Sequence, residues 1–428
     1  MFERTASDRY HRRRRPELET PAILPQVRDD SLPLDGLLVV DLTRVLAGPY
    51  CTRLLADMGA RVIKVERPGS GDETRINVQQ LEPGRTDQSS YFTRVNAGKE
   101  SVAVDLSSPD GLQVVLDLAR HADVFIENFA PGVVGRLGCD YAAVRAVKPD
   151  VVYCSISGFG QTGPWRHKQA FAHITNAISG LMHLEQGEEA HPRASNLQAA
   201  DMLAATHAAA AILGALFRRA RNGTGAYLDV SMLEALVASD SVTFASVLNG
   251  GKEHGNPRPG MMVHSIGDRY LAFQIAGGTV IWARLVNLMQ RPELADDPRF
   301  KSSDGRRQNW RALREILGQW LDGFSTVEAA LEVLEKARVP CAPVLHPAEV
   351  IGSAHLAERQ FFPTLPHRGR GSVRVTASPY HLDGKPVHPP RPAAYRVGED
   401  TRAVLSKLLG YDEPRIAALL ASKAVEAP

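Results

Sequence analysis

The chain has 428 residues, 44% of them hydrophobic and 23% charged, with a formal net charge of +2. That length supports about two to three domains, and the near-neutral charge argues against a bulk polyanion such as nucleic acid while leaving room for a small anionic ligand. Four scattered cysteines with no Cys-x-x-Cys pair read as reduced thiols of a cytoplasmic protein, not as a disulfide set or a zinc site. Residues 1–30 contain an arginine run with no apolar segment after it. They predict a flexible basic tail and not a signal peptide, with partner binding as the sharper alternative.

From residue 36 the pattern is regular. An apolar run over 36–43 predicts a strand, and Cys51, Leu54, Leu55 and Met58 at helical spacing predict a helix that stops at Gly59. Residues 61–66 predict the next strand. Strand, helix, strand in so few residues is a right-handed βαβ unit, and it recurs through 101–106, 109–120, 122–128, 141–147 and 151–160. The fold class is therefore α/β: a doubly wound parallel-sheet large domain, joined to a smaller α+β domain. The apolar stretch 202–217 is short for a membrane span and reads as a buried helix within 198–220, so no membrane association is expected. The domain reading is a tail over 1–30, the large domain over 31–225, linker helices and the small domain over 226–335, and a return to the large domain over 336–428. The proline-rich stretch near 366–395 predicts extended chain.

No Gly-x-Gly-x-x-Gly follows the first strand, which argues against a dinucleotide, and "GSGDETR" (69–75) lacks the Gly-Lys-Ser/Thr of a P-loop. In "VLAGP", Gly48 and Pro49 either let the loop approach a ligand and open a helix whose amides favour an anion, or form an ordinary turn. Arg67, Asp72 and Arg75 around two glycines suit a phosphate, with a solvated charged loop as the plain alternative. No cluster implies a metal.

Taken together, "LDGLLVVDLTRVLAGPYCTRLLADMGARVIKVERPGSGDETR", "NAGKESVAVDL", "ADVFIENFAPGVVGRLG", "YCSISGFGQTGP" and "GAYLDVSMLEAL" resemble the class III, CaiB/BaiF-type CoA-transferases. That family also holds formyl-CoA transferase, carnitine CoA-transferase and α-methylacyl-CoA racemase. The resemblance implies coenzyme A, carried as acyl-CoA, as ligand and a small carboxylic acid as co-substrate. It also implies an interlocked dimer with itself or a homologous chain. It places CoA near Val45, Leu46, Ala47, Gly48, Pro49, Arg67, Arg75, Asn96, Lys99, Asn128 and Phe129, and Gln161 near the thioester. Ala130 stands where the family pattern Asn-Phe-Arg-Pro-Gly carries arginine, which removes one expected contact.

In the transferases an Asp carboxylate attacks the thioester and forms a mixed anhydride, and here "AFAHITNAISG" puts Ala172 at that position. The racemase branch pairs a His and an Asp there with a second Asp 30 residues on. Its counterparts are Phe171, Ala172 and Asp201, so two-base racemisation is not expected. His173 is a candidate base, but a neighbouring side chain points elsewhere and a structural role is the plainer reading. Asp201 is a candidate acid or base, or an N-cap. Three readings stay open. The chain is the nucleophile-lacking subunit of a heteromeric transferase, or a self-sufficient acyl-CoA transferase, isomerase or hydrolase using His173 or Asp201, or a non-enzymatic acyl-CoA binding protein.

Overall fold

The computed structural model describes residues 32–428 apart from 78, 187–190, 193, 196, 241–242, 252–260 and 276–278. The basic tail expected over 1–30 lies outside the described residues.

The large domain is built on seven strands: β1 (Leu38–Asp41), β2 (Arg61–Glu66), β3 (Lys99–Val104), β4 (Val124–Glu127), β5 (Val152–Ser157), β6 (Ala226–Ser231) and, from the far end of the chain, β14 (Val425–Glu426). Their spatial order is β14-β3-β2-β1-β4-β5-β6, parallel except for β14, which runs antiparallel along β3. The central strands are continuous apolar runs because helices cover both faces. On one face Val39, Ile126, Cys154 and Ile156 meet helix α1 (Ala47–Asp57) and the alanines of α3 (Ala199–Asn222), with the short helix α2 (Ala172–Ile178) between them in sequence. On the other face Val40, Ile63, Phe125 and Tyr153 meet the helix over 109–121 and α4 (Glu413–Ala421).

Helix α3 was expected to be buried. It is covered on one face only: Ala200, Ala204, Ala205, Ala208 and Ile212 are buried, while His207 and Phe217 face outward. It is the one helix among the described residues long and apolar enough to cross a membrane by length and composition.

The smaller unit is a three-stranded antiparallel sheet of β7 (Met261–Ile266), β8 (Arg269–Gln274) and β9 (Cys341–Pro343), with a core around Trp282, Phe300, Leu313 and Leu317. Since β9 pairs with β8, this sheet extends past residue 335. The stretch expected to be extended chain folds in part into two hairpins, β10 (Thr364–His367) with β11 (Gly371–Arg374) and β12 (His381–Leu382) with β13 (Lys385–Pro386).

Around the carboxyl ends of β1 and β2 lie six buried charges in three pairs, with Lys99 reaching in from the start of β3. Lys99 Nζ is 3.1 Å from Asp41, Lys64 Nζ is 2.9 Å from Asp72, and Arg75 is 2.7 Å from Glu66. Burial alone would push the Asp41 carboxyl up, but Lys99, Lys64 and the Thr43 and Thr52 hydroxyls outweigh it and hold it below the usual value. Removing one member strands the other in the core. Lys99→Met is therefore expected to destabilise the fold by roughly 3–5 kcal/mol in urea denaturation, and Lys99→Met with Asp41→Asn to recover much of that loss.

Candidate functional site

The strand order 3-2-1-4-5-6 reverses direction between β1 and β4, and a crevice opens there beyond the carboxyl ends of the strands. Its walls are the loop after β1, which carries Arg44 and Val45 and leads into Ala47 at the start of α1, and the loop after β4, which carries Asn128–Pro131. The two loops are stitched together. The Arg44 N–H donates to Asn128 Oδ1 and Asn128 Nδ2 donates to the Arg44 carbonyl, both at 2.8 Å. The Arg44 guanidinium lies over the Phe129 ring, 5.1 Å from its centroid, and pairs with Glu73 at 3.0 Å.

Two adjoining cavities share Arg44, Glu73 and Phe129 as walls. The first, about 540 Å³, runs outward past Arg67, Ser70–Asp72, Val104–Ser107 and Lys423. The second, about 390 Å³, runs inward past Val45, Ala47, Ser157, the basic stretch Arg166–Lys168, Phe171 and Asp201. Both volumes suit a small-molecule site.

The structure divides the residues expected at the ligand. Val45, Ala47, Asn128 and Phe129 line the inner or both cavities, and Arg67 lines the outer one. The others point inward to the protein. Arg75 is buried against Glu66, and Lys99 spends its ammonium on Asp41, the Pro49 carbonyl and Asn96 Oδ1, so neither reaches a phosphate. Asn96 is thereby a partner of Lys99. Leu46 is buried at the N-cap of α1, and Pro49 is buried within its first turn. Gly48 serves packing and not ligand approach, because a Cβ there would sit 2.2 Å from the Thr43 side chain. Gln161 lines neither cavity; its main-chain N–H donates to Asp229.

Ala172 is buried at the start of α2, next to the cavity-lining Phe171. His173 Nδ1 is 2.9 Å from the Ser195 carbonyl, a bond that ties α2 to the segment leading into α3. Asp201 is not an N-cap, since Gln198 holds that position. The Asp201 carboxylate instead faces the inner cavity and accepts from the Ala47 amide. Burial pushes it up to about 6, with the Ala47 and Asp201 amides and nearby His173 pulling the other way. Sequence reasoning missed Arg44, Glu73, Lys168 and Lys423. Arg44 was within reach, as the one charged side chain between the Asp41–Thr43 strand end and α1.

A family model described as CoA-transferase family III matches residues 34–401. A succinyl-CoA:glutarate CoA-transferase of Mus musculus is 34% identical over 94% of this chain and 92% of its own length. An acetyl-CoA:oxalate CoA-transferase of Acetobacter aceti is 36% identical over 87% of this chain and 95% of its own. Among solved structures, a CAIB/BAIF family protein from Brucella suis is 30% identical with a TM-score of 0.76, covering 88% of this chain and 100% of its own. A switch-point cleft with these loops, on a chain this similar throughout, belongs to CoA-transferase family III. The protein is an enzyme of that class, and the class acts on CoA thioesters.

Glu127 ends β4 beneath the Asn128–Phe129 loop and is buried. Burial pushes its carboxyl up to about 7, partly offset by the Ser155 hydroxyl and the Phe129 amide, with Asp229 adding to the rise. Its folded value exceeds its unfolded one. The stability it contributes is therefore fully present below the ordinary glutamate range and is lost as pH rises through about 7. Between about pH 5 and about pH 8 the native chain is expected to lose on the order of 1–3 kcal/mol relative to Glu127→Gln, read from urea midpoints.

Proposed function

We propose that this chain moves CoA from an acyl-CoA to a small dicarboxylic acid, and that the carboxylate attacking the thioester comes from a second, homologous chain. Ala172 is the observation that carries the reading. An attacking carboxylate forms a mixed anhydride and releases the CoA thiolate, whereas a methyl group has no electron pair to offer. The rest of the cleft supports substrate binding. The outer cavity offers Arg67 to phosphates. The inner one offers Arg44, Arg166 and Lys168 to a carboxylate that does not react. The acids in the relatives' names point the same way: glutarate, oxalate and mesaconate. The uncovered face of α3, with exposed Phe217, and the exposed Phe171 and Ile174 offer surface to a second chain, in keeping with an interlocked dimer.

A second reading is favoured by one observation. Asp201 is an acid of the inner cavity with no cation bonded to it among the described residues, and it is suited to attack the thioester or to take a proton. In that reading the chain works alone, and turnover rises as pH passes upward through about 6, where Asp201 ionises.

The two readings separate in one assay series with succinyl-CoA and glutarate, oxalate or mesaconate. The chain alone is expected to give no transfer. Co-expression with a homologous chain, or Ala172→Asp in the chain itself, is expected to give transfer. Full turnover by the lone chain, lost in Asp201→Asn, would overturn the two-chain reading in favour of Asp201.

A further inference from the structure

The outer cavity has a wall that the rest of the site does not account for. Lys423 lies in the turn between α4 and β14, in a left-handed backbone conformation with φ 60°, and it lines the cavity. It is outside the stretch matched by the family, which ends at residue 401. Its position is nevertheless firmly set. The Lys423 N–H donates to the Leu420 carbonyl at 3.1 Å, and the Asp105 N–H donates to the Ala424 carbonyl at 2.9 Å. Next, β14 pairs Val425 with Val104 and Glu426 with Ala103. The same strand holds the loop that carries Arg67, since Glu426 accepts from the Gly69 amide at 2.5 Å. One short edge strand thus sets two cations on one cavity wall.

The charge balance of that wall is uneven. Among the acids lining the cavity, Glu66 is paired with Arg75, Asp72 with Lys64, and Glu73 with Arg44. Asp105 is bonded to the Ser107 amide and hydroxyl and also feels Arg67. Among the described residues, no carboxylate lies within ion-pair distance of Lys423 or Arg67. Leu42, Val65, Val104 and Leu106 line the same cavity. Free cations beside apolar side chains suit a nucleotide, whose base packs on the apolar groups and whose phosphates meet the cations.

We propose that Lys423 binds a phosphate of the nucleotide end of CoA together with Arg67, so that the turn leading into β14 supplies part of the ligand site. This rests on the reading of the cleft as an acyl-CoA site and adds a residue to it. Lys423 would act as a point charge that fixes the far end of the ligand while the thioester lies by Ala172 and Asp201.

The test is binding of CoA, 3′-dephospho-CoA and pantetheine by calorimetry to the native chain, Lys423→Ala and Lys423→Arg. Lys423→Ala is expected to weaken CoA about 10-fold and to leave pantetheine unchanged, with Lys423→Arg keeping most of the affinity. An equal loss on dephospho-CoA assigns the contact to the pyrophosphate, and a loss confined to CoA assigns it to the 3′-phosphate; either supports the proposal. Unchanged CoA affinity in Lys423→Ala, or an equal loss of pantetheine, would overturn it while the acyl-CoA reading stands. A native chain that binds none of the three would overturn both. Urea midpoints of the variants, expected to match the native chain for this exposed side chain, separate lost contact from lost fold.

Discussion

The cleft depends on buried charges that are spent on one another. Asp41, Lys64, Lys99 and Asp72 are buried in ion pairs under the loop that follows β1. Taking such groups out of water costs several kcal/mol per ion, so the gain must lie in what they position. Lys64 donates to the Thr43 carbonyl at 2.7 Å, Asp41 holds the Thr43 amide and hydroxyl, and Asp72 lies 3.4 Å from the Val45 amide. Val45 is β-branched yet has φ 67°, a conformation that costs about 1–3 kcal/mol. It persists because both flanks are fixed, Thr43 and Arg44 on one side and the first turn of α1 on the other. The result is a loop that presents Val45 and Ala47 to the inner cavity and Arg44 to both.

The cleft is electrostatically graded. Its rim carries Arg44, Arg67, Arg166 and Lys168, all exposed, whereas its inner end carries Asp201 in surroundings that raise its proton affinity. A rim of this sign attracts an anionic thioester and an anionic acid. An interior poor in water strengthens any interaction with charge that develops there. The alanine at 172 supplies no carboxylate to that interior. Asp201 at its inner end is held by the main-chain amide of Ala47.

Much of this was legible in the residues. The βαβ repeats stood out because parallel strands buried on both faces are continuous apolar runs, and the turns between them carry glycine or proline. The switch-point position of the cleft follows from that topology. What could not be read was which polar residues face inward. Arg75 and Lys99 have the same composition signature as a phosphate site, and only the folded chain reveals that Glu66 and Asp41 already claim them. Gly48 stayed open between a ligand turn and an ordinary one because the Thr43 side chain beneath it is invisible to spacing. Lys423 and β14 left no signal, since a two-residue strand has no period and its partner is distant in sequence.

Strand β14 has one more consequence. While a ribosome is still making the small domain and the hairpins, β3 stands at the sheet margin with its outer peptide groups unpaired. Such an open flank is a template for association with another nascent chain. Asp400 accepts from the Ser101 amide, and Thr401 Oγ1 accepts from the Ala103 amide, so part of that flank is covered before β14 arrives. Closing it falls to residues 424–426, which gives a short, late segment of the polypeptide a protective duty during biosynthesis quite apart from the chemistry of the mature enzyme.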